Sequence, residues 1–250
     1  MIAKAEKRFT NGGMLSQGLS FLGAFTWSKL MAATGYLNNS GEGLVDPKPL
    51  YFLDGGNRSW VFAFSGLYGI PIGRGGLLAS NAHGAAGAVL NNWQLEWIFQ
   101  NQAGTPVGYP NGDLFNCGQY NIRSAHRTYA SYINNSQTSC WATFPEYTAK
   151  TAGPNSTRVL QPWAQQTQLG LEKVFSVTER YKLQFKGEAF NATNTPIFGG
   201  VSTSNPEKAP TRNASVANPN QPGAWSGFGT IGSTEQNFPR QIQLSLKVIF

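Results

Sequence analysis

The chain has 250 residues and a formal net charge of +7, yet only 12% of its residues are charged, while 13% are aromatic. A soluble domain usually carries about a quarter charged residues, so this composition disfavours a cytosolic enzyme. The Lys and Arg residues are scattered singly instead of clustering on one predicted face, which argues against nucleic-acid binding.

Four segments in the first half of the chain alternate apolar with polar or small residues, which is the pattern of β-strands. These segments cover residues 3–9, 18–29, 59–71 and 91–102. In the fourth of them, Trp93, Leu95 and Trp97 alternate with Gln94 and Glu96. No window approaches the roughly 18 to 20 apolar residues of a membrane-spanning helix, which excludes a helical membrane protein.

Three further strands are predicted in the second half, at residues 165–175, 180–190 and 240–250. In the first of them Lys173 interrupts the apolar side. The last has the clearest alternation, and its apolar face consists of Ile242, Leu244, Leu246, Val248 and Phe250. The opposite face holds Gln, Ser and Lys, which is too polar for a sandwich core but suits a water-filled lumen.

The connections between these seven strands are alternately short and long. Residues 176–179 form a tight hairpin, whereas residues 103–164 and 191–238 form long loops. An all-β, antiparallel, up-and-down transmembrane barrel predicts this alternation, with short periplasmic turns and long extracellular loops. The connection from Ile72 to Leu90 is long for a periplasmic turn.

An odd number of strands predicts an incomplete barrel. Bacterial single-chain barrels have even strand numbers, and an open edge in lipid leaves backbone groups without hydrogen bonds. The first residues also lack the apolar region of an export signal. We therefore expect a fragment whose missing strands lie upstream, and the sequence leaves open whether Met1 is a true start.

Several short stretches resemble TonB-dependent outer-membrane receptors of the Oar-like type, which carry a carboxypeptidase-regulatory-like N-terminal domain. The matching stretches occur in the family's order, at residues 6–9, 18–21, 25–29, 65–75, 93–95, 102–106, 183–191, 194–196, 228–231 and 239–244. Such receptors resemble plugged barrels of roughly 22 strands, so residues 1–250 would supply about a third of the wall.

The resemblance implies a location in the Gram-negative outer membrane and the uptake of a bulky solute. The family's signal, TonB box and plug domain have no counterpart here, so a TonB complex would be contacted only through the missing N-terminal part. Phe250 and the alternate apolar residues before it resemble the signal that the barrel-assembly machinery recognises. The expected partners are therefore outer-membrane lipid, that machinery and a small solute of unknown identity.

The predicted loops contain candidate contact residues and both cysteines. Aromatic loop residues are weak candidates for ligand contacts, because loops carry such residues without binding anything: Tyr109, Tyr120, Trp141, Tyr147 and Trp225. Siderophore, carbohydrate and peptide ligands remain open. Cys117 and Cys140 predict a loop disulfide in an oxidising compartment, with two free thiols as the alternative.

We expect no enzyme, no metal and no cofactor. His83 and His126 have no metal-ligand spacing, and the nucleophile and phosphate-loop motifs are missing. Three mid-strand carboxylates are interpreted as lumen-facing polarity and not as acid–base groups: Glu96, Glu172 and Glu188. Aromatic residues on the apolar strand faces are interpreted as an interfacial girdle, with carbohydrate stacking as the alternative: Trp60, Tyr68, Trp93 and Trp97.

Two other functions remain open at this stage. One is an outer-membrane barrel whose loops mediate adhesion or surface binding without transport. The other is a soluble, secreted β-sandwich that binds sugars, which would have to expose its polar strand faces to water.

Overall fold

The computed structural model describes residues 1–8, 18–33, 51–110, 113–143 and 154–250. Its main element is a seven-stranded sheet in which neighbours along the chain are neighbours in space and all pairs are antiparallel. In order, the strands are β1 (Ile2–Lys7), β2 (Leu19–Trp27), β5 (Trp60–Gly69), β6 (Trp93–Gln102), β11 (Ala164–Ser176), β12 (Lys182–Phe190) and β15 (Gln241–Ile249).

Short strand pairs lie in the connections on one side of the sheet. They are β3 (Met31–Ala33) with β4 (Tyr51–Leu53), β7 (Pro106–Gly108) with β10 (Asn155–Leu160), β8 (Asp113–Phe115) with β9 (Trp141–Thr143), and β13 (Thr211–Arg212) with β14 (Trp225–Ser226). The described residues also contain a helix α1 (Gly84–Leu90) and a 3₁₀ turn (Thr138–Cys140). Among the described residues, no helix has the length and apolarity needed to cross a membrane.

Each of the seven predicted strands overlaps one strand of the sheet, with ends that differ by at most two residues. The strand predicted at 3–9 covers Ile2–Lys7, and Phe9 lies outside the described residues. The strand predicted at 180–190 begins only at Lys182, because the hairpin turn extends to Tyr181. There the backbone N–H groups of Val177 and Thr178 both donate to the Tyr181 carbonyl, at 3.0 Å.

The register separates an apolar face from a polar face, because paired residues point to the same side of a sheet. One continuous row on the apolar face joins Gly66, Trp97, Leu169, Ala189 and Ile242. On β15, Ile242 is 71% exposed and Leu246 is 66% exposed. Such a wall of exposed aliphatic side chains fits hydrocarbon and would be unfavourable in water.

Three tryptophans mark the rim of the sheet that bears the long loops. Trp27 pairs directly with Trp60. Trp163 immediately precedes Ala164, which pairs with Gln102, the partner of Val61. Continuing the register by one step places Trp163 in the row of Trp60, on the apolar face. These residues form an outer aromatic girdle, which is the usual position of Trp at the level of the lipid headgroups.

The opposite rim carries aromatic residues on the same face. They are Tyr68, Trp93, Phe175 and Tyr181. Trp60 and Tyr68 lie eight residues apart on β5, which is roughly 27 Å along a strand and roughly 20 Å along the normal of a bilayer at a tilt near 40°. Trp60, Tyr68 and Trp93 therefore occupy the girdle positions that the sequence predicted.

Trp97 does not belong to a girdle, which corrects the prediction. It lies midway along β6, where its ring centre is 5.6 Å from that of Phe64. The ring covers Gly66 on the neighbouring strand, and a Cβ on that glycine would come within 2.3 Å of it. Trp97 thus fills the space that the glycine leaves open, in an aromatic band continued by Phe62 and Phe99, whose ring centres are 5.9 Å apart.

Replacing Gly66 with Ala should therefore lower the free energy of unfolding by about 1 to 3 kcal/mol, the usual cost of overpacking. Urea unfolding of the protein, purified from outer membranes into detergent, measures this. Gly232→Ala is the matched control, because a Cβ there meets nothing within 4 Å. Equal effects of the two substitutions would contradict the close contact between Gly66 and Trp97.

Lys173 interrupts the apolar face without exposing its charge. Its side chain lies between two aromatic rings, with Nζ 5.0 Å from the ring centre of Trp93 and 4.6 Å from that of Phe175. The ammonium group donates to the Asn91 carbonyl at 2.5 Å. Cation–π contact and an apolar stem that carries the charge to the rim make the lysine compatible with this face.

The long connection between β5 and β6 is folded, which explains its length at a rim where a short turn was expected. Helix α1 occupies its second half. Before the helix, the backbone N–H of Arg74 donates to Asn91 Oδ1 at 2.8 Å, and Gly73 donates to the Leu78 carbonyl at 2.8 Å. The indole of Trp93 donates to the Val89 carbonyl at 2.9 Å. The connection is therefore tied to the first residue of β6.

The sheet is open at both edges. In the described residues, β1 pairs only with β2 and β15 pairs only with β12. With seven antiparallel strands, β1 and β15 run in the same direction, so their direct pairing would be parallel. An antiparallel barrel containing this sheet closes only when an odd number of further strands lies between the two edges.

Candidate functional site: the loop cap and the polar face

Among the described residues, the fully buried apolar side chains lie in the connections and not in the seven-stranded sheet. Most of them form a cluster from residues 103–163 and 191–240: Val107, Ile122, Ile133, Trp141, Val159, Val201, Phe228 and Ile231. Tyrosines and phenylalanines of the same segments pack around it. We call these two segments the loop cap. Burial of apolar side chains drives its formation, as in a soluble domain.

Backbone hydrogen bonds join the two segments of the cap. The N–H of Tyr132 donates to the Gly229 carbonyl, and the N–H of Gly229 donates to the Ser202 carbonyl, both at 2.8 Å. Gly229 has a φ of +77°, and a Cβ there would lie 3.0 Å from Asn135. The chain therefore needs glycine where its segments cross.

The cap is also fastened to the outer rim of the sheet. Arg58, next to β5, donates to the Ala103 carbonyl at 2.9 Å. Asn155 Nδ2 donates to the Leu53 carbonyl at 2.9 Å. The side-chain oxygen of Gln161 accepts from Val201 N–H at 2.7 Å. The connection 103–163 thus contacts both of the other long connections on this side of the sheet.

A pair of asparagines closes the rim between β12 and β15. Asn191 and Asn194, which lie in two neighbouring stretches that carry the family resemblance, both have positive φ. Asn191 Nδ2 donates to the Phe238 carbonyl at 3.0 Å, and Asn194 Oδ1 accepts from Arg240 N–H at 2.9 Å. Asparagine tolerates this conformation and bonds to the backbone, so the stretch joins the two ends of the 191–240 connection.

Cys117 and Cys140 form a disulfide in the structure, with Cα atoms 5.4 Å apart. This is one of the two states that the sequence left open for them. The bond links the end of β8 to the 3₁₀ turn before β9. Beside it, the N–H of Asn116 donates to the Cys140 carbonyl at 2.7 Å.

An aromatic stack adjoins the disulfide and includes several of the predicted contact residues. The ring centre of Tyr120 lies 4.8 Å from that of Trp141 and 5.1 Å from that of Phe115. Tyr109 meets Tyr120 edge-on at 6.4 Å, and Phe228 lies behind Trp141 at 5.9 Å. Edge-to-face pairs of this kind stabilise a core beyond simple burial.

Burial also sets the chemistry of the cap tyrosines. It raises the pKa of the Tyr120 hydroxyl above its ordinary value, with a smaller contribution from Tyr109. It likewise raises the pKa of Tyr132, against the opposing effect of Arg127. Both hydroxyls therefore stay protonated at neutral pH. Tyr120 donates to the Asn134 carbonyl at 2.5 Å, and Tyr132 donates to the Leu160 carbonyl at 3.1 Å.

The predicted contact residues therefore differ in how much of their side chains is exposed to a ligand. Trp141 is 9% exposed and belongs to the core of the cap, so it offers little surface to a ligand. Tyr109 and Tyr120 are half-buried against it. Trp225 is half-buried as well, and its indole donates to the Pro219 carbonyl at 3.1 Å. Tyr147 lies outside the described residues.

The polar face of the sheet carries one charged cluster. Lys186 on β12 lies 2.8 Å from Glu96 on β6 and 3.1 Å from Glu188 on its own strand. Gly170 on the intervening strand leaves room for this contact, because a Cβ there would be 3.2 Å from Glu96 Oε2. Glu172 pairs with Lys186 in the register. These carboxylates therefore take part in cross-strand pairing.

The described residues contain no group of three or more His, Cys, Asp or Glu side chains that could hold a metal ion. His83 and His126 are both exposed. His83 precedes α1 at the inner rim, whereas His126 lies in the cap.

An antiparallel meander with one apolar face, one polar face and an aromatic girdle at each rim is the wall of a transmembrane β-barrel. Comparison with protein-family models gives the same class: the outer membrane beta barrel domain matches residues 1–243. The chain therefore belongs to this family, and its location is the outer membrane of a Gram-negative type of cell. No curated protein and no solved structure matches the chain.

Proposed function

We propose that the chain is a C-terminal wall segment of a TonB-dependent outer-membrane receptor of the Oar-like type, whose complete form takes up a bulky solute. The observation that carries this proposal is the open, seven-stranded meander covered by a folded loop cap. Open edges leave backbone groups unpaired in lipid, so such a sheet requires further strands. A large barrel supplies these further strands, and the loop cap fits the external loops that cover the mouth of such a barrel.

The positions of the family-like stretches support the same proposal. Residues 93–95 open β6, residues 102–106 lead from β6 into the cap, and residues 183–191 form most of β12 and its upper rim. The stretches 102–106 and 183–191 therefore reach the outer rim, where wall and cap meet, whereas residues 93–95 lie at the inner rim. A role in transport, and not in catalysis, accords with a polar face suited to a water-filled lumen.

The proposed partners follow from the regions of the chain. The apolar face contacts outer-membrane lipid. Ile242, Leu244, Leu246, Val248 and Phe250 would present the assembly signal to the barrel-assembly machinery. Coupling to a TonB complex would require a plug and TonB box outside residues 1–250, and the solute would enter beneath the cap.

The test is deletion of the gene, together with any upstream sequence in the same frame that encodes further strands. Comparison of the solutes removed from the medium by wild-type and deleted cells should reveal one that only the wild type takes up. Removal of the TonB energy-coupling proteins should abolish the same uptake. Unchanged uptake together with lost surface attachment would instead indicate an adhesion barrel and overturn the proposal.

A further inference from the structure

The connection between β5 and β6 exposes an apolar surface at the inner rim of the sheet. Residues 71–92 contain a single charged side chain, that of Arg74. Leu78 is 66% exposed and Val89 is 59% exposed. The neighbouring hairpin of the same rim, by contrast, carries a carboxylate and a guanidinium within residues 176–181. An exposed apolar surface of this kind marks contact with a partner or with a membrane.

One side of helix α1 carries only small and apolar side chains. Ala85 and Val89 lie about one turn apart, and both are exposed. Gly87 is two residues from each of them, which places it on the opposite side of the helix, and it is buried. A Cβ on Gly87 would lie 2.9 Å from the Ala82 carbonyl oxygen. The side with Ala85 and Val89 therefore points away from the rest of the connection.

Two side chains of the lipid-facing wall hold the end of α1. Trp93 and Lys173 are paired in the register and lie on the apolar face of the sheet. The indole of Trp93 donates to the Val89 carbonyl at 2.9 Å. The ammonium group of Lys173 donates to the Asn91 carbonyl. Because both donors lie on the lipid side of the sheet, the end of the helix lies on that side and not over the lumen. The apolar surface of the connection is therefore continuous with the lipid-facing wall.

We propose that the connection between β5 and β6 is an interfacial anchor, which inserts Ala85 and Val89 into the phospholipid leaflet on the inner side of the outer membrane. Trp93 belongs to the inner girdle, so the end of α1 that it binds lies at the level of the headgroups. Burial of exposed apolar side chains supplies the driving force. A phospholipid surface suits this site better than a protein partner, because the site adjoins the lipid-facing wall and has a single charge in 22 residues.

The experiment measures the depth of nitroxide labels in the full chain, purified from outer membranes and reconstituted into vesicles of phosphatidylethanolamine and phosphatidylglycerol. Each label is attached to one introduced thiol, in Ala85→Cys, in Val89→Cys or in the matched control Glu179→Cys, an exposed site in the hairpin of the same rim. The two native cysteines form a disulfide, so the introduced thiol is the one that reacts.

Labels at Ala85 and Val89 should lie about 5 to 10 Å into the boundary between headgroups and acyl chains, the usual depth of an interfacial helix. Their collision rate with oxygen, divided by that with a water-soluble nickel chelate, should be several times higher than at Glu179. Equal ratios at Val89 and Glu179 would place α1 in water and overturn the proposal. Shielding of Ala85 and Val89 from both reagents would overturn it as well, because it indicates contact with protein instead of lipid.

The substitution Val89→Asp tests what holds the helix in the leaflet. A charge on the apolar side of α1 should draw the label at Ala85 into water and lower its ratio severalfold. An unchanged ratio in this variant would contradict insertion through that side of the helix. None of these results depends on solute uptake.

Discussion

Replacing Phe228 with Ala should lower the free energy of unfolding of the loop cap by about 3 to 5 kcal/mol, the range for truncating a fully buried aromatic residue. Phe228 is 1% exposed and packs against Trp141 and Tyr120, with ring centres at 5.9 and 6.5 Å. Removing the ring opens a cavity between residues from both cap segments. Hydrogen exchange in cap peptides, followed by mass spectrometry, measures the change.

Phe238→Ala is the matched control for this prediction. Phe238 belongs to the same connection but is 77% exposed, so its truncation should change the exchange of cap amides by less than about 0.5 kcal/mol. Amides of β11 and β12 should keep their protection in both variants. A cost below about 1 kcal/mol at Phe228 would mean that the cap segments do not form a common core.

The wall of the barrel could be predicted from the sequence because its strands obey a local rule. Each strand must present one face to lipid and the other to a polar lumen, so the alternation is visible within ten residues. Lys173 interrupts the apolar face, but its contacts with Trp93 and Phe175 make it compatible with that face. The strand ends were less accurate because turns such as the one ending at Tyr181 depend on individual hydrogen bonds.

The loop cap could not be predicted because its core has no period and its contacts are long-range. Val107, Ile133 and Phe228 lie far apart in the sequence, within stretches rich in Gly, Asn and Ser. Aromatic residues in such loops suggest ligand contacts, which is how Tyr120 and Trp141 were interpreted. The available signal was Cys140 directly before Trp141, since a disulfide implies a folded loop.

Removing the disulfide should have an effect of similar size to that of Phe228→Ala. The disulfide closes a loop with a sequence separation of 23 residues, for which the chain-entropy model gives a stabilisation of about 3 to 4 kcal/mol. Replacing Cys117 and Cys140 together with Ser should therefore accelerate exchange of amides in residues 113–143 by roughly two orders of magnitude, if they exchange through opening of the cap. Buried residues such as Ile122 and Ile133 lie within this loop, so its opening exposes core surface.

A thiol reductant provides the internal control. In the wild type it should reproduce the exchange of the double Ser variant, and it should add nothing in the variant itself. The seven-stranded sheet should be unaffected, because the disulfide joins two positions of the cap and none of the sheet. Equal loosening of β11 and β12 would show that cap and wall unfold as one unit. Unchanged exchange in residues 113–143 would show that the core around Phe228 holds the cap closed without the covalent bond.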